Sequence, residues 1–329
     1  MLTSTASKLS CPKQKKKSFA CRGELTVIPK TKIRFGTTED LFEVSSGTLL
    51  CNKCKSEYPI LAGVAILIAD VRNYLLSHVK GISKVVPDSE IPKFYRADYM
   101  DAKLEIQSEH IEEDLEAERV NALYIMNHYL RVHDDENGTW WRPRNGESSS
   151  TIDRLVKEFW DVGPFSKVKA WVKSLKKPCR VVDLGCGVGG LLRELDTCAK
   201  AYIGVDSSFA SIALARHLGL GINYPCDIRV PEDLIDGPVS RPIKIKSKPI
   251  LTGAADFVVG DLSVPPLRTE QWDVSIALNA IDMLEEPERL PEIQRNLVCN
   301  EGHIIQSCPY IWYSETAKRI KKMVPSEIK

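Results

Sequence analysis

Three acids and a run of glycines in the second half of the chain have the types and spacing to hold a small ligand. The segment Val181-Val182-Asp183-Leu184-Gly185-Cys186-Gly187-Val188-Gly189-Gly190 reads as a buried strand ending in an acid, then a glycine turn, then the start of a helix. Glycines in such a turn permit positive φ and leave no Cβ between backbone and ligand. A second strand, Tyr202-Ile203-Gly204-Val205, ends in Asp206, 23 residues after Asp183. That is near the offset of roughly 20 residues at which a carboxylate meets a ribose diol in such folds. A third strand, Asp256-Phe257-Val258-Val259-Gly260, ends in Asp261. The carboxyl ends of strands are where an open α/β sheet binds its ligand. A fourth strand, Trp272 to Leu278, runs into Asn279-Ala280-Ile281-Asp282. Asn279 and Asp282 have the chemistry to orient an acceptor or take its proton. The alternative is a structural Asn279 and a helix-capping Asp282.

The second constellation is made of thiols. Cys51-Asn52-Lys53-Cys54 is a Cys-x₂-Cys knuckle, and two thiolates at that spacing can reach one tetrahedral zinc. Cys11 and Cys21 supply two more, in the series Cys11-x₉-Cys21-x₂₉-Cys51-x₂-Cys54.

The elements that must position these residues fall into three textures, 1–70, 71–150 and 151–329. The first is rich in Lys, Thr and Val, with short strand-like pieces at Leu25–Ile28, Thr48–Leu50 and Val64–Ile68. The second is polar and helical in pattern, with an apolar beat through Leu115, Val120, Leu123, Ile125, Met126, Tyr129 and Leu130. In the third, strands and helices alternate, the signature of a doubly wound parallel sheet. Its strand candidates are Arg180–Leu184, Tyr202–Val205, Asp256–Val259, Asp273–Leu278 and His303–Ser307. With 329 residues, 43 % apolar and 27 % charged, the chain is an ordinary globular sequence of roughly two domains, not a disordered or low-complexity one. A net charge of +1 argues against a surface built throughout for nucleic acid. The longest apolar run, Tyr58 to Ala69, is too short to span a bilayer, and Met1 to Lys17 has no apolar core of a signal peptide. That first stretch, Ser/Thr/Lys-rich without acids, reads as an exposed tail or a transit peptide. Ten unevenly spaced cysteines fit a reducing compartment, so a cytoplasmic location is expected.

The Asp-x-Gly-x-Gly-x-Gly turn and the strand-end acids resemble a class I S-adenosylmethionine (SAM)-dependent methyltransferase over about residues 150 to 310. The resemblance implies a Rossmann-like α/β fold in which Asp183, Gly185, Gly187 and Gly189 hold the methionine end of SAM. It implies that Asp206, with Ser207, takes the ribose hydroxyls, that Asp261, with Leu262, takes the adenine, and that Asn279 faces the cofactor. A nicotinamide-binding Rossmann domain is the alternative, but the acid ahead of the first glycine is the methyltransferase form. The Asn/Asp-Pro-Pro-aromatic motif of amide and adenine N-methyltransferases is absent, which leaves a small-molecule or peptide acceptor expected. The four cysteines, followed by Tyr58-Pro59-Ile60-Leu61-Ala62-Gly63, resemble the zinc-ribbon activator subunit of tRNA and release-factor methyltransferases. That resemblance implies a zinc held by Cys11, Cys21, Cys51 and Cys54, keeps a tRNA substrate open, and suggests a protein partner. Gln14 stands where the family has its second cysteine, so Lys13 to Ala20 reads as an insertion that moves that ligand to Cys21. The alternatives are a ribbon without metal and a non-catalytic module that keeps the SAM pocket or binds a partner.

Three segments stay open. Trp140-Trp141-Arg142-Pro143 is either a lid or sheet packing. The 55 residues from Asp206 to Asp261 carry an insertion with Arg241, Lys244, Lys246 and Lys248, either a solvated loop or part of an acceptor site. After the fifth strand only Pro309 to Lys329 remain, where the family fold has two more strands, so either the chain is truncated, or the sheet has five strands, or its edge, a liability if bare, is covered otherwise. In related heteromeric enzymes the ribbon extends the sheet by edge pairing, so the ribbon here is expected to pack on the catalytic part.

Overall fold

The computed structural model describes residues 1–16, 19–36, 41–108, 124–125, 127–129, 163–229, 240–245, 247–312 and 316–318. Trp140, Trp141, Arg142, Pro143 and Lys246 lie outside them, as does most of the apolar beat from Leu115 to Leu130.

The central feature is a nine-stranded sheet. Its C-terminal half is built from β7 (Cys179–Leu184), β8 (Ala199–Asp206), β11 (Ala255–Gly260), β12 (Trp272–Leu278) and β13 (Val298–Ser307), all parallel, in the order β13-β12-β7-β8-β11. The inner strands are buried on both faces, as near-continuous Val/Ile runs require. Helices α5 (Gly190–Leu195) and α6 (Phe209–Gly219) carry the chain from β7 through β8 to β11. Helix α7 (Leu290–Leu297) carries it from β12 to β13 in the opposite direction. Right-handed crossovers therefore put α5 and α6 on one face and α7 on the other, with the switch point between β7 and β12. The insertion after β8 is a hairpin of β9 (Tyr224–Arg229) and β10 (Ser240–Ile245) rather than a simple loop.

The N-terminal half of the sheet is an antiparallel meander of β3 (Leu25–Arg34), β4 (Phe42–Cys51), β5 (Glu57–Leu61) and β6 (Val64–Leu67). Strand β6 joins the two halves by pairing parallel with β11, Ile66 opposite Val259 and Leu67 opposite Gly260. Its residues Val64, Ala65, Ile66 and Leu67 are all fully buried, which explains why this strand is apolar on both faces. The expected packing of the 1–70 part on the 151–329 part is thus observed, at the edge of β11. The outer edge of β13 has no strand partner among the described residues. No helix follows β11. Residues 261–271 return directly to β12, and the N-terminal segment covers them: Leu9 bridges Leu267, and Ser10 N donates to Pro266 O at 3.0 Å.

The first residues are not an exposed tail. Met1, Leu2 and Leu9 are fully buried around a 3₁₀ turn, Thr3–Lys8. Leu2 N and Thr5 Oγ1 donate to Asp256 Oδ2 at 2.8 and 2.7 Å, and Asp256 also pairs with Arg216, which pairs with Glu43 of β4. Helices α1 (Val71–Ser77), α2 (Val79–Ser83) and α3 (Lys93–Ser108) follow β6, and Tyr74 on α1 donates to Ser207 O at 2.6 Å. Helix α4 (Pro164–Ser174) precedes β7. Among the described residues no helix is long and apolar enough to cross a membrane.

Candidate cofactor cleft and metal centre

The glycine turn caps the carboxyl end of β7, at the switch point. Gly185, Gly187 and Gly189 have φ of +78°, +50° and +79°. Gly185 and Gly189 are needed for space as well. A Cβ on Gly185 would stand 2.7 Å from Ala280 Cβ, and one on Gly189 would stand 2.6 Å from the Phe257 ring.

The amide hydrogens of this turn are used within the protein. Gly185 N and Cys186 N donate to Val205 O, at 2.8 and 3.1 Å. Gly187 N donates to Asp206 Oδ2 at 2.9 Å, Gly189 N to Cys186 O at 3.0 Å, and Gly190 N to His128 Nδ1 at 3.1 Å. A turn that cradles phosphate presents such amides to the ligand; this one spends five of them on itself.

Beneath the turn lie two acids. Asp183, 2 % exposed, accepts from Tyr202 Oη at 2.5 Å. Burial, reinforced by the charge of Asp206, pushes its carboxyl up to about 7 against the pull of the Tyr202 hydrogen bond. Burial also raises Asp206, while the amides of Ser208 and Gly187 hold it down. Two acids that repel each other favour a positively charged ligand. Asp261 is exposed at the end of β11 and accepts from Ser263 N and Oγ, both at 2.7 Å. Leu262 is half-buried beside it, and Ser207 is exposed beside Asp206. Asn279 follows β12 with φ +55°, its Oδ1 accepting from Ser307 Oγ at 2.9 Å. Asp282 is 1 % exposed and does not cap a helix; its Oδ2 accepts from Ile311 N at 2.9 Å, tethering the segment after β13, while Oδ1 has no hydrogen-bond partner among the described residues. The sheet therefore brings Asp183, Asp206, Asp261 and Asn279 to one end, each at the end of its strand.

A residue that sequence reasoning missed sits directly on the turn. His128 Cε1 is 3.3 Å from where a Gly187 Cβ would be, and His128 O is 2.7 Å from where a Gly190 Cβ would be. Tyr129 Oη donates to Val188 O at 2.5 Å, and Ile125 and Tyr129 are buried with Val188, Leu218 and Ile245 of the inserted hairpin. Burial lowers His128 to about 4, so its ring is neutral. The signal was the helical beat through Ile125 and Tyr129; nothing in the sequence ties it to a turn 62 residues later.

The four expected ligand cysteines converge, with all Sγ atoms within 4.8 Å of one another. Cys11 and Cys54 Sγ are 3.5 Å apart, Cys21 and Cys51 3.9 Å. Four sulfurs at about 2.3 Å from a tetrahedral ion stand about 3.8 Å apart, so the cluster fits zinc. The two knuckles repeat one backbone pattern. Lys55 N donates to Cys51 O and Cys51 N to Ser56 O; Arg22 N donates to Cys11 O and Cys11 N to Gly23 O. Lys55 and Arg22 both have positive φ, +61° and +52°. Cys21 thus stands where Cys54 stands, and the insertion is a hairpin of β1 (Gln14–Lys16) and β2 (Phe19–Ala20) inside the first knuckle. A Cβ on Gly23 would lie 2.6 Å from Cys51 Sγ, inside the thiol cluster. Burial drives the Cys11 thiol up to about 12; at Cys54, burial is outweighed by hydrogen bonds to Ser56 and neighbouring thiols, which bring it down to about 6.

No protein-family profile matches this sequence, and no curated protein matches it. Solved structures do. A SAM-dependent methyltransferase from Mesorhizobium loti is 21 % identical over 45 % of this chain and 55 % of its own, with TM-score 0.32. Magnesium protoporphyrin IX methyltransferase from Synechocystis with bound SAH is 19 % identical over 54 % and 76 %, with TM-score 0.31. A complex of the Haloferax volcanii Trm112 methyltransferase activator with a proposed methyltransferase is 19 % identical over 47 % and 54 %, with TM-score 0.29. The chain spans about half the length of the first structures it matches, 47 % and 55 %.

Proposed function

We propose that this chain is a SAM-dependent methyltransferase acting on a heteroatom of a small molecule or peptide, with a structural zinc ribbon built into its sheet. The carrying observation is the glycine turn, whose amides are spent internally above two mutually repelling acids. Such a site disfavours the pyrophosphate of a dinucleotide and suits the cationic sulfonium and ammonium of SAM. Asp206 has lone pairs left for the ribose diol, Ser207 lies beside it, and Asp261 with Leu262 stands at the next strand end for the adenine. Asp183 anchors the turn from below, through Tyr202, and Asp206 gives the methionine end a negative neighbour.

Bound SAM would supply an electrophilic methyl group on sulfur. The acceptor's lone pair forms the new bond, the sulfur keeps the old pair, and the acceptor's proton leaves to a base or to water. The chain's part is mainly proximity and orientation. Asn279 stands on the acceptor side of the cleft in this reading, and Asp282, buried with Oδ1 unpartnered among the described residues, is the candidate proton acceptor. Zinc on Cys11, Cys21, Cys51 and Cys54 would hold the ribbon's knuckles together and takes no part in the transfer. Equilibrium dialysis against labelled SAM and NAD tests the reading: SAM should bind once per chain and NAD should not compete. Competition by NAD at equal concentration would contradict it.

A further inference from the structure

SAM has one group that the glycine turn is badly equipped to hold. Its carboxylate needs hydrogen-bond donors, yet the amides of Gly185, Cys186, Gly187, Gly189 and Gly190 already donate within the protein. Asp183 and Asp206 beneath the turn repel an anion. A donor from above the turn would answer this need, and His128 stands there. Its Nδ1 accepts from Gly190 N at 3.1 Å, so the one ring proton is on Nε2. Nε2 lies 3.7 Å from the position of a Gly187 Cβ, with Tyr124 Cδ1 3.8 Å from the same point and its ring edge-to-face with the imidazole. The ring is held edge-to-face against Phe165, with centroids 5.0 Å apart, and the chain on either side is pinned by the burial of Ile125 and Tyr129. A fixed neutral N–H over a glycine is a preorganised partner for a carboxylate.

We propose that His128 is a cofactor-binding residue whose Nε2–H donates to the carboxylate of the amino-acid end of SAM. The inference rests on reading the turn as a SAM site. The test is calorimetry on the full chain with two probes: SAM, and 5′-methylthioadenosine, which keeps the nucleoside and thioether and lacks the amino acid. His128→Asn keeps an acceptor for Gly190 N and removes the outer donor. His128→Gln keeps a donor near Nε2. Expected are a loss of SAM affinity of at least tenfold in His128→Asn, a 5′-methylthioadenosine affinity within twofold of wild type, and SAM affinity largely restored in His128→Gln. Equal weakening of both probes would show a packing role and overturn the proposal. Tighter SAM binding in His128→Asn would show that the ring obstructs the cleft and would overturn it too. Wild-type protein that binds neither probe would instead remove the SAM reading itself.

Discussion

Asp183 has its carboxyl sealed beneath the turn with Tyr202 for company, and that has a consequence for stability. Burial raises its folded pKa to about 7, above the ordinary carboxylate value. A raised carboxyl stabilises the fold fully only below its unfolded pKa near 4, and that contribution is lost as pH rises through about 7. Asp183→Asn, which cannot ionise, should therefore melt higher than wild type at pH 8 and show a smaller gain at pH 4.5. The difference should be on the order of 3 kcal/mol at most. Parallel melting curves across that range would show that Asp183 is ionised or solvated in the folded state. Asp183 and Asp206 were legible because strand, acid and glycine adjoin in sequence. Tyr202 and His128 were not, because their partners are fixed by sheet register and by packing of distant segments.

Among the elements, the first knuckle is the most informative. Nine residues separate Cys11 from Cys21, where Cys51 and Cys54 are separated by two, yet both pairs close the same hydrogen-bond pattern. Cys21→Ser should lose its metal as fully as Cys51→Ser/Cys54→Ser, from one zinc per chain to none by elemental analysis of chelator-free preparations. Full zinc retention in Cys21→Ser would break the four-thiol assignment. The strands around the cleft were readable as apolar runs ending in acids. The edge that receives the ribbon was not, because the fifth strand's missing neighbours pointed there instead. The absence of a helix between β11 and β12 leaves that face to the N-terminal segment, and β6 then follows onto β11. Residues 261–271 gave no positive sign of this, since a short connection shows only that a helix is missing.

At the scale of the whole molecule, the strands of the cysteine cluster and those of the glycine-turn cleft share one sheet, joined by a buried ion network. Asp256 of β11 is fully buried with Arg216 of α6, which also holds Glu43 of β4. Removing one member leaves its partner charged and buried, at a cost of about 3–5 kcal/mol. Arg216→Met should lower stability in urea by about that amount, and a change under 1 kcal/mol would show the network to be well hydrated. Because β6 pairs with β11, deleting residues 1–70 should strip an inner strand bare and give an insoluble or thermally weakened chain. A truncated chain that melts and binds as the full one does would show the ribbon to be independent. The central claim is that SAM sits at the switch point with its ribose on Asp206. Titration calorimetry of SAM into full-length wild type and Asp206→Ala tests it most directly, since two charge-assisted hydrogen bonds are worth roughly 1.5–3 kcal/mol each. One SAM per wild-type chain, with affinity at least tenfold weaker in the variant, is the expected result; an unchanged dissociation constant, or no binding by the wild type, would contradict it.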